Sequence, residues 1–170
     1  MAQLTAVSGD ITGLAVDAIV NAANNSLLGG GGVDGAIHHV AGPELLEACR
    51  KLNGCVTGDA KPTPGFCLPA RWIFHAVGPI WHGGSDGEDE LLAGCYRRCL
   101  ELALEVGVKS IAFPAISTGV YRFPPERAAK IAITTVCSRI EKSGVEEVYF
   151  VCFNEATLRI YQQLLFGACL

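Results

Sequence analysis

The chain has 170 residues and a mass of 17.9 kDa; 50% of its residues are hydrophobic and 18% are charged. Such a composition excludes intrinsic disorder, because enough apolar surface can be buried to offset the ordering entropy, and the length suits one domain, residues 1–170, with a full core. The formal charge of −4 and pI near 5.5 argue against a nucleic-acid module, which normally carries a basic footprint, yet allow a small anionic ligand held by backbone N–H groups.

In chain order, strand-like and helical segments alternate. Leu4–Val7 is short and apolar and runs into a turn at Gly9-Asp10-Ile11-Thr12; Asp17–Asn21 (DAIVN) is a β-branched strand. Gly29–Gly32 form a glycine-rich turn, a helix starts at Val33, and Pro43 at a first helical position opens another over Glu44–Leu52. Asn53–Leu68 is rich in Gly, Pro and Thr. It predicts turns with one edge strand at most, since proline cannot donate to a ladder. Arg71–Val77 is a strand ended by Gly78-Pro79, and Trp81–Asp89 is a polar loop. Glu90–Val106 has helical periodicity, with Leu91, Leu92, Cys95, Cys99, Leu102 and Val106 as its inner stripe. Ser110–Ile116 is a buried strand, and Pro124-Pro125-Glu126 opens a long helix to about Lys142, stopped by Gly144. Glu147–Phe153 is an apolar strand, after which Asn154 caps a last helix, Glu155–Leu165. The alternation implies an α/β sandwich, and the continuous apolar strands suit a sheet covered on both faces.

The cysteines, at 49, 55, 67, 95, 99, 137, 152 and 169, form no C-x-x-C pair. There is no secretory pattern after Met1 and no apolar run near the ~18 residues of a membrane helix. The expected setting is therefore cytoplasmic, with mostly free, buried thiols. Cys95 and Cys99 could be half of a metal site, but no second ligand pair has zinc-type spacing. Neither metal nor cofactor is expected.

Two loops carry chemistry. Gly30-x-Gly32-x-x-Gly35 matches the dinucleotide fingerprint by letter, but Asn24–Leu28 intervene after the strand and the position 20 beyond Gly35 is Cys55, not an acid. A run of four glycines before Val33-Asp34 costs backbone entropy and points to close backbone approach to a ligand. The second loop, Ser117-Thr118-Gly119-Val120-Tyr121, also follows a strand. Ligands of α/β sheets bind beyond the carboxyl ends of strands, so two such cradles on one edge suit a diphosphate. Asn21, Asn24, Asn25 and Asp34 form the accompanying polar cluster. Asparagines here act as turn formers or, at Asn24, as an amide bridging paired hydroxyls. Asp34 either complements the helix dipole or orients a water beside a bound anion.

The segments GDIT (Gly9–Thr12), VNAANNSLLGGGGVDGAIH (Val20–His38), HAVGP (His75–Pro79), FPAISTGVY (Phe113–Tyr121) and VYFVCF (Val148–Phe153) resemble the macro domain family. The likeness is to its MacroD-type branch, which includes bacterial O-acetyl-ADP-ribose deacetylases. It implies a three-layer α/β/α sandwich with a mixed, mostly parallel central sheet, and ADP-ribose as ligand. By position, Asp10 would accept from the adenine amino group, with a backbone contact from Ile11, and Phe153 would stack on the ring. Gly31, Gly32 and Val33 would wrap one phosphate, and Ser117, Thr118, Gly119 and Val120 the other. Tyr121 would close over the distal ribose, Asn24 would hold it, and Asp34 would position the attacking water. Arg122 and Asn154 stand where a glycine and an acid are common in the family, and Arg122 is expected to face solvent. His38 and His39 are expected to pack or face solvent. The Cys/His set of zinc-dependent macro domains is missing, and no cysteine lies in either loop.

The implied activity is hydrolysis of O-acetyl-ADP-ribose to ADP-ribose and acetate, and removal of mono-ADP-ribose from acidic side chains of proteins. Neither a membrane nor nucleic acid is an expected partner. The alternative is a reader that binds ADP-ribose without chemistry, which has no need of the Asn24 and Asp34 pair. A nicotinamide oxidoreductase would require the missing ribose carboxylate.

Overall fold

The computed structural model describes residues 2–168. Strands β1 (Gln3–Ser8), β2 (Ala18–Ala22), β3 (Ala60–Pro64), β4 (Trp72–Ala76), β5 (Ser110–Pro114) and β6 (Glu147–Cys152) form one sheet in the order β1-β6-β5-β2-β4-β3. All neighbours are parallel except β3, which runs antiparallel to β4 at one edge. That edge strand holds Pro62 and Pro64, which an edge tolerates because one side of it needs no donors. Helices are α1 (Gly32–Ala41), α2 (Pro43–Arg50), α3 (Glu88–Val106), α4 (Pro125–Ser143) and α5 (Glu155–Leu165).

Side chains alternate across the sheet, so each central strand feeds two cores. Ala18, Val20, Phe74, Ile111, Phe113, Val148 and Phe150 pack under α3, α4 and α5. Ile19, Ile73, Ala112 and Val151 pack with the buried side chains of α1 and α2. The result is three layers, α/β/α, with a mixed, mostly parallel sheet, as expected. Among the described residues no helix is long and apolar enough to cross a membrane.

Several element ends differ from the sequence reading by one or two residues, α2 ending at Arg50 and β5 at Pro114 among them, and two of these shifts bear on the site. Helix α3 begins at Glu88 rather than Glu90, because the Glu88 carboxylate is consumed by the preceding loop, as detailed below. On that helix Leu91 and Val106 are half-buried, while Tyr96 and Leu100 join the core. Strand β6 ends at Cys152, leaving Phe153 beyond the ladder.

An aromatic chain spans the larger core: Tyr96 to Phe113 at 5.0 Å between centroids, Phe113 to Phe150 at 6.0 Å, and Phe150 to Tyr161 at 5.1 Å. Phe113, fully buried at its centre, ties α3 to the sheet. Phe113→Ala should lower the unfolding free energy by about 3–5 kcal/mol in urea titration; a loss below about 1 kcal/mol would contradict this packing.

Candidate functional site

Strands β2 and β5 lie side by side and parallel, yet the helices that follow them cover opposite faces, α1 beside β2 in one core and α4 in the other. The chain therefore parts beyond their carboxyl ends and leaves a crevice. Along that edge the sheet order places, in turn, Asp10 after β1, Phe153 after β6, Ser117–Tyr121 after β5 and Asn24–Asp34 after β2. All the sequence-predicted site residues thus fall on one edge.

The loop after β2 is built by Asn24. Its Oδ1 accepts from Ser26 N (3.1 Å), Ser26 Oγ (2.6 Å) and Leu27 N (3.2 Å), and its Nδ2 donates to the Gly29 carbonyl (3.0 Å). Asn25 instead pins the neighbouring segment, donating to the Cys55 carbonyl and Thr57 Oγ1. Gly31 caps α1 without a side-chain bond, so the N–H groups of the first turn, Gly32 and Val33 among them, have no acceptor within the helix. Asp34 sits in that turn, 5% exposed. Its Oδ1 accepts from Asn21 Nδ2 at 2.9 Å and lies 3.5 Å from His38 Nε2. Its Oδ2 faces the other way: a methyl on Gly30 would stand 3.2 Å from it and 3.5 Å from Asn24 Nδ2. The helix N-terminus favours the carboxylate charge. His38, expected to pack or face solvent rather than tune the loop, is thereby placed beside Asp34, and Asn21 becomes the tether of that carboxylate.

In the loop after β5, Ser117 is buried with φ +67°, and its Oγ has no partner. The loop closes on itself through Thr118 Oγ1 to the Ala115 carbonyl (2.8 Å), Arg122 N to Gly119 O (3.0 Å) and Phe123 N to Ser117 O (2.9 Å). The N–H groups of Gly119, Val120 and Tyr121 have no acceptor among the described residues. Gly78 lies directly beneath: a Cβ there would meet Ser117 Oγ at 2.1 Å and Ile116 Cγ2 at 2.6 Å. Arg122 is exposed, as expected, at φ +62°, a conformation in which glycine is at ease.

This loop is braced from the segment before α3. Trp81 N donates to the Tyr121 carbonyl at 2.8 Å, and the Trp81 ring packs on Phe123 at 4.8 Å and under the Arg127 guanidinium at 5.1 Å. Arg127 grips Asp89 through two bonds, 2.8 and 2.7 Å. Glu88 accepts from the N–H groups of His82, Gly84 and Asp86 at 2.8, 2.9 and 2.7 Å. Burial opposes its charge, but these donors and its own N–H outweigh that and hold its pKa down at about 2.

At the far end, the Asp10 carboxylate accepts from Thr12 N (2.9 Å) and Oγ1 (2.6 Å), and these bonds lower its pKa. Ile11 is buried beside it, and Phe153 is 96% and Val120 91% exposed. Apolar side chains so exposed on a lined edge suit a ligand surface. Cys49, Cys55, Cys67, Cys95, Cys99 and Cys152 are free. Cys67 is exposed, against expectation, while burial raises the pKa of Cys49 and Cys152 to about 11, which leaves them unreactive. Cys169 lies outside the described residues. Among those residues no group of three or more His, Cys, Asp or Glu is placed to hold a metal ion.

The sequence profile of the Macro domain family matches residues 20–132. A macro domain-containing protein of Chlorobaculum tepidum is 61% identical over 161 residues, covering 94% of this chain and 94% of its own. A protein of Escherichia fergusonii named O-acetyl-ADP-ribose deacetylase is 55% identical over 168 residues, covering 96% and 95%. The crystal structure of the Trypanosoma brucei macrodomain in complex with ADP-ribose superposes with a TM-score of 0.90 at 43% identity, over 95% of this chain and 68% of that one.

The Glu88 knot has a pH signature. Its folded pKa of about 2 lies below the ordinary 4.5, so its stabilisation is complete above about pH 4.5 and is lost as pH falls toward 2. In thermal melts from pH 7 to 2, Glu88→Gln should be less stable than wild type at pH 7, with the gap closing through that window; a pH-independent gap would show that the charge is not what holds the loop.

Proposed function

The chain belongs to the macro domain family, and from that footing we propose that it hydrolyses ADP-ribose esters, releasing acetate from O-acetyl-ADP-ribose and mono-ADP-ribose from acidic side chains of proteins. The observation that carries this reading is the presentation of Asp34. One carboxylate oxygen is tied inward to Asn21, and the other faces Gly30 and Asn24 of the loop after β2. A module that only bound its ligand would gain nothing from burying a carboxylate there, since desolvating a charge is costly. The deacetylase name of one relative and the ADP-ribose bound to another support the same substrate class.

In this reading Asp10 accepts from the adenine amino group, Ile11 adds a backbone contact, and the exposed Phe153 ring stacks on the base. The amides of Gly31, Gly32 and Val33 face one phosphate and those of Ser117, Gly119 and Val120 the other; Thr118, expected to join them, instead donates its N–H to the Ala115 carbonyl at 3.3 Å and shapes the loop. Tyr121 covers the distal ribose. Asn24 holds that ribose through Nδ2, because its Oδ1 already accepts three bonds within the loop. The outward oxygen of Asp34 and the substrate's own pyrophosphate hold a water. Its oxygen bonds to the ester carbonyl carbon, the bond from that carbon to the ribose oxygen breaks, and the proton that the water gives up reaches the departing ribose oxygen by way of Asp34. Fixing the diphosphate at both phosphates makes the step effectively unimolecular.

Asp34→Ala should keep ADP-ribose affinity in calorimetry while losing about 10²–10⁴-fold in acetate release; near-normal turnover would end the assignment, and a wild type that binds without turnover would be a reader. Gly78→Ala, which drives a methyl into Ser117, should weaken ADP-ribose binding about tenfold, or about 1.4 kcal/mol; unchanged affinity would remove the phosphate role of that loop.

A further inference from the structure

Beneath the site lies a buried imidazole to which the mechanism above gives no task. The β2–β4 register sets Asn21 beside His75 on the face covered by α1 and α2, and His75 is fully buried. Each ring nitrogen has a polar neighbour. Nδ1 is 3.1 Å from Asn21 Nδ2, and Nε2 is 2.9 Å from Thr63 Oγ1 on β3. Cys49 Sγ, on α2, stands 3.9 Å from Nε2.

The protonation pattern follows from Asp34. A carboxylate only accepts, so the Asn21 atom 2.9 Å from Asp34 Oδ1 must be the NH2 group. That same nitrogen faces His75 Nδ1, which must therefore offer a lone pair. The single ring proton then sits on Nε2 and is donated to Thr63 Oγ1. Turning the Asn21 amide over would set its carbonyl oxygen against the carboxylate. Charging the ring would remove the acceptor at Nδ1. Burial first, and His38 second, oppose that charge and lower the pKa of His75 to about 3. The other titratable groups facing it are Asp34 on α1, Cys49 on α2 and its register partner Lys61 on β3, whose Nζ is engaged by the carbonyls of Leu52 and Gly54.

Resting on the hydrolase reading, we propose that His75 is a positioning residue for the hydrolytic step. As a neutral Nε2–H imidazole anchored on Thr63, it fixes the orientation of the Asn21 amide. Through Asn21 it holds Asp34 with Oδ1 tied to the sheet and Oδ2 turned to the cleft. Four side chains from four elements, Thr63, His75, Asn21 and Asp34, thus form one connected run of hydrogen bonds, in which the Asn21 amide donates both to His75 and to the group that holds the water. The role is orientation rather than proton transfer, because His75 reaches neither the crevice nor a group that could pass it a proton at neutral pH.

The conservative variants separate this role from a structural one. His75→Asn keeps an acceptor where Nδ1 was and gives up the Thr63 bond; His75→Gln reaches Thr63 and gives up the acceptor. His75→Gln should lower kcat for O-acetyl-ADP-ribose about tenfold or more, with ADP-ribose affinity unchanged, while His75→Asn, which keeps the acceptor but loses the Thr63 anchor, loses clearly less. In an Asn21→Ala background His75→Gln should have no further effect. Equal losses for the two variants, affinity falling together with kcat, or additivity with Asn21→Ala would overturn the proposal. Imidazole nitrogen NMR of the wild type gives a readout apart from turnover: a neutral Nε2–H ring from pH 5 to 8 is expected. An Nδ1–H tautomer, or titration near the ordinary value of about 6.5, overturns the proposal even where turnover is normal. A wild type with the expected tautomer that binds ADP-ribose but releases no acetate overturns the hydrolase reading, and this role with it.

Discussion

The site depends on two parallel neighbours, β2 and β5, sending their chains to opposite faces of one sheet. Backbone cannot fill the space between diverging chains, so a crevice opens where their carboxyl ends meet. Both loops that line it begin within a few residues of a buried strand, and rigid strands set the distance between them. The strand order places Asp34, the two loops, Phe153 and Asp10 in sequence along this edge. Topology, more than any single side chain, places these groups in a line.

The second constraint is electrostatic. The chain is acidic overall, yet the crevice it builds suits an anion. Arg127 is committed to Asp89 and Arg98 to Glu101 and Glu105, while Arg122 on the loop after β5 is exposed. The attraction in the crevice comes from N–H dipoles at the start of α1 and in the loop of Gly119–Tyr121. Dipoles fixed in the fold carry no net charge to desolvate. They also need no lysine or arginine bonded to Asp34, which would compete for its outward oxygen. Its inward oxygen is satisfied by a neutral amide, which is in turn oriented by a neutral imidazole. The Asp34 carboxylate is thus buried with a partner for its inward oxygen.

Much of this was legible in the residues because the responsible physics is local. Pro43 at the start of α2, Gly144 at the end of α4 and Asn154, whose Oδ1 accepts from Thr157 N at 2.8 Å, mark helix ends through dihedral preference and capping. The apolar runs of β5 and β6 announced a sheet covered twice. Asn24 acts as the turn former its sequence position suggested, its carbonyl accepting from Ser26 and Leu27 and its amide donating to the Gly29 carbonyl. His38 and Asn21 were visible as polar residues near Asp34 in sequence, but their contacts with it depend on how α1 lies over β2. Glu88 misled the reading of α3 for a related reason. A charged residue next to a glycine-rich loop reads as solvent-facing, and only the folded loop turns three N–H groups onto it.

The sequence by itself determined which elements form, in what order, and that two glycine-bearing loops follow strands, because helix periodicity, strand alternation and turn chemistry act over a few residues. The residues proposed for the site were also visible there, because each stands just after a strand. Only the tertiary structure decided how those residues are aimed. Asn21 and His75 are 54 positions apart and Arg127 and Asp89 are 38 apart, and no local preference pairs them. Their alignment follows from strand register and layer packing. A hydrogen bond has direction as well as partners, and that direction is defined only once the sheet and the helices over it are in place.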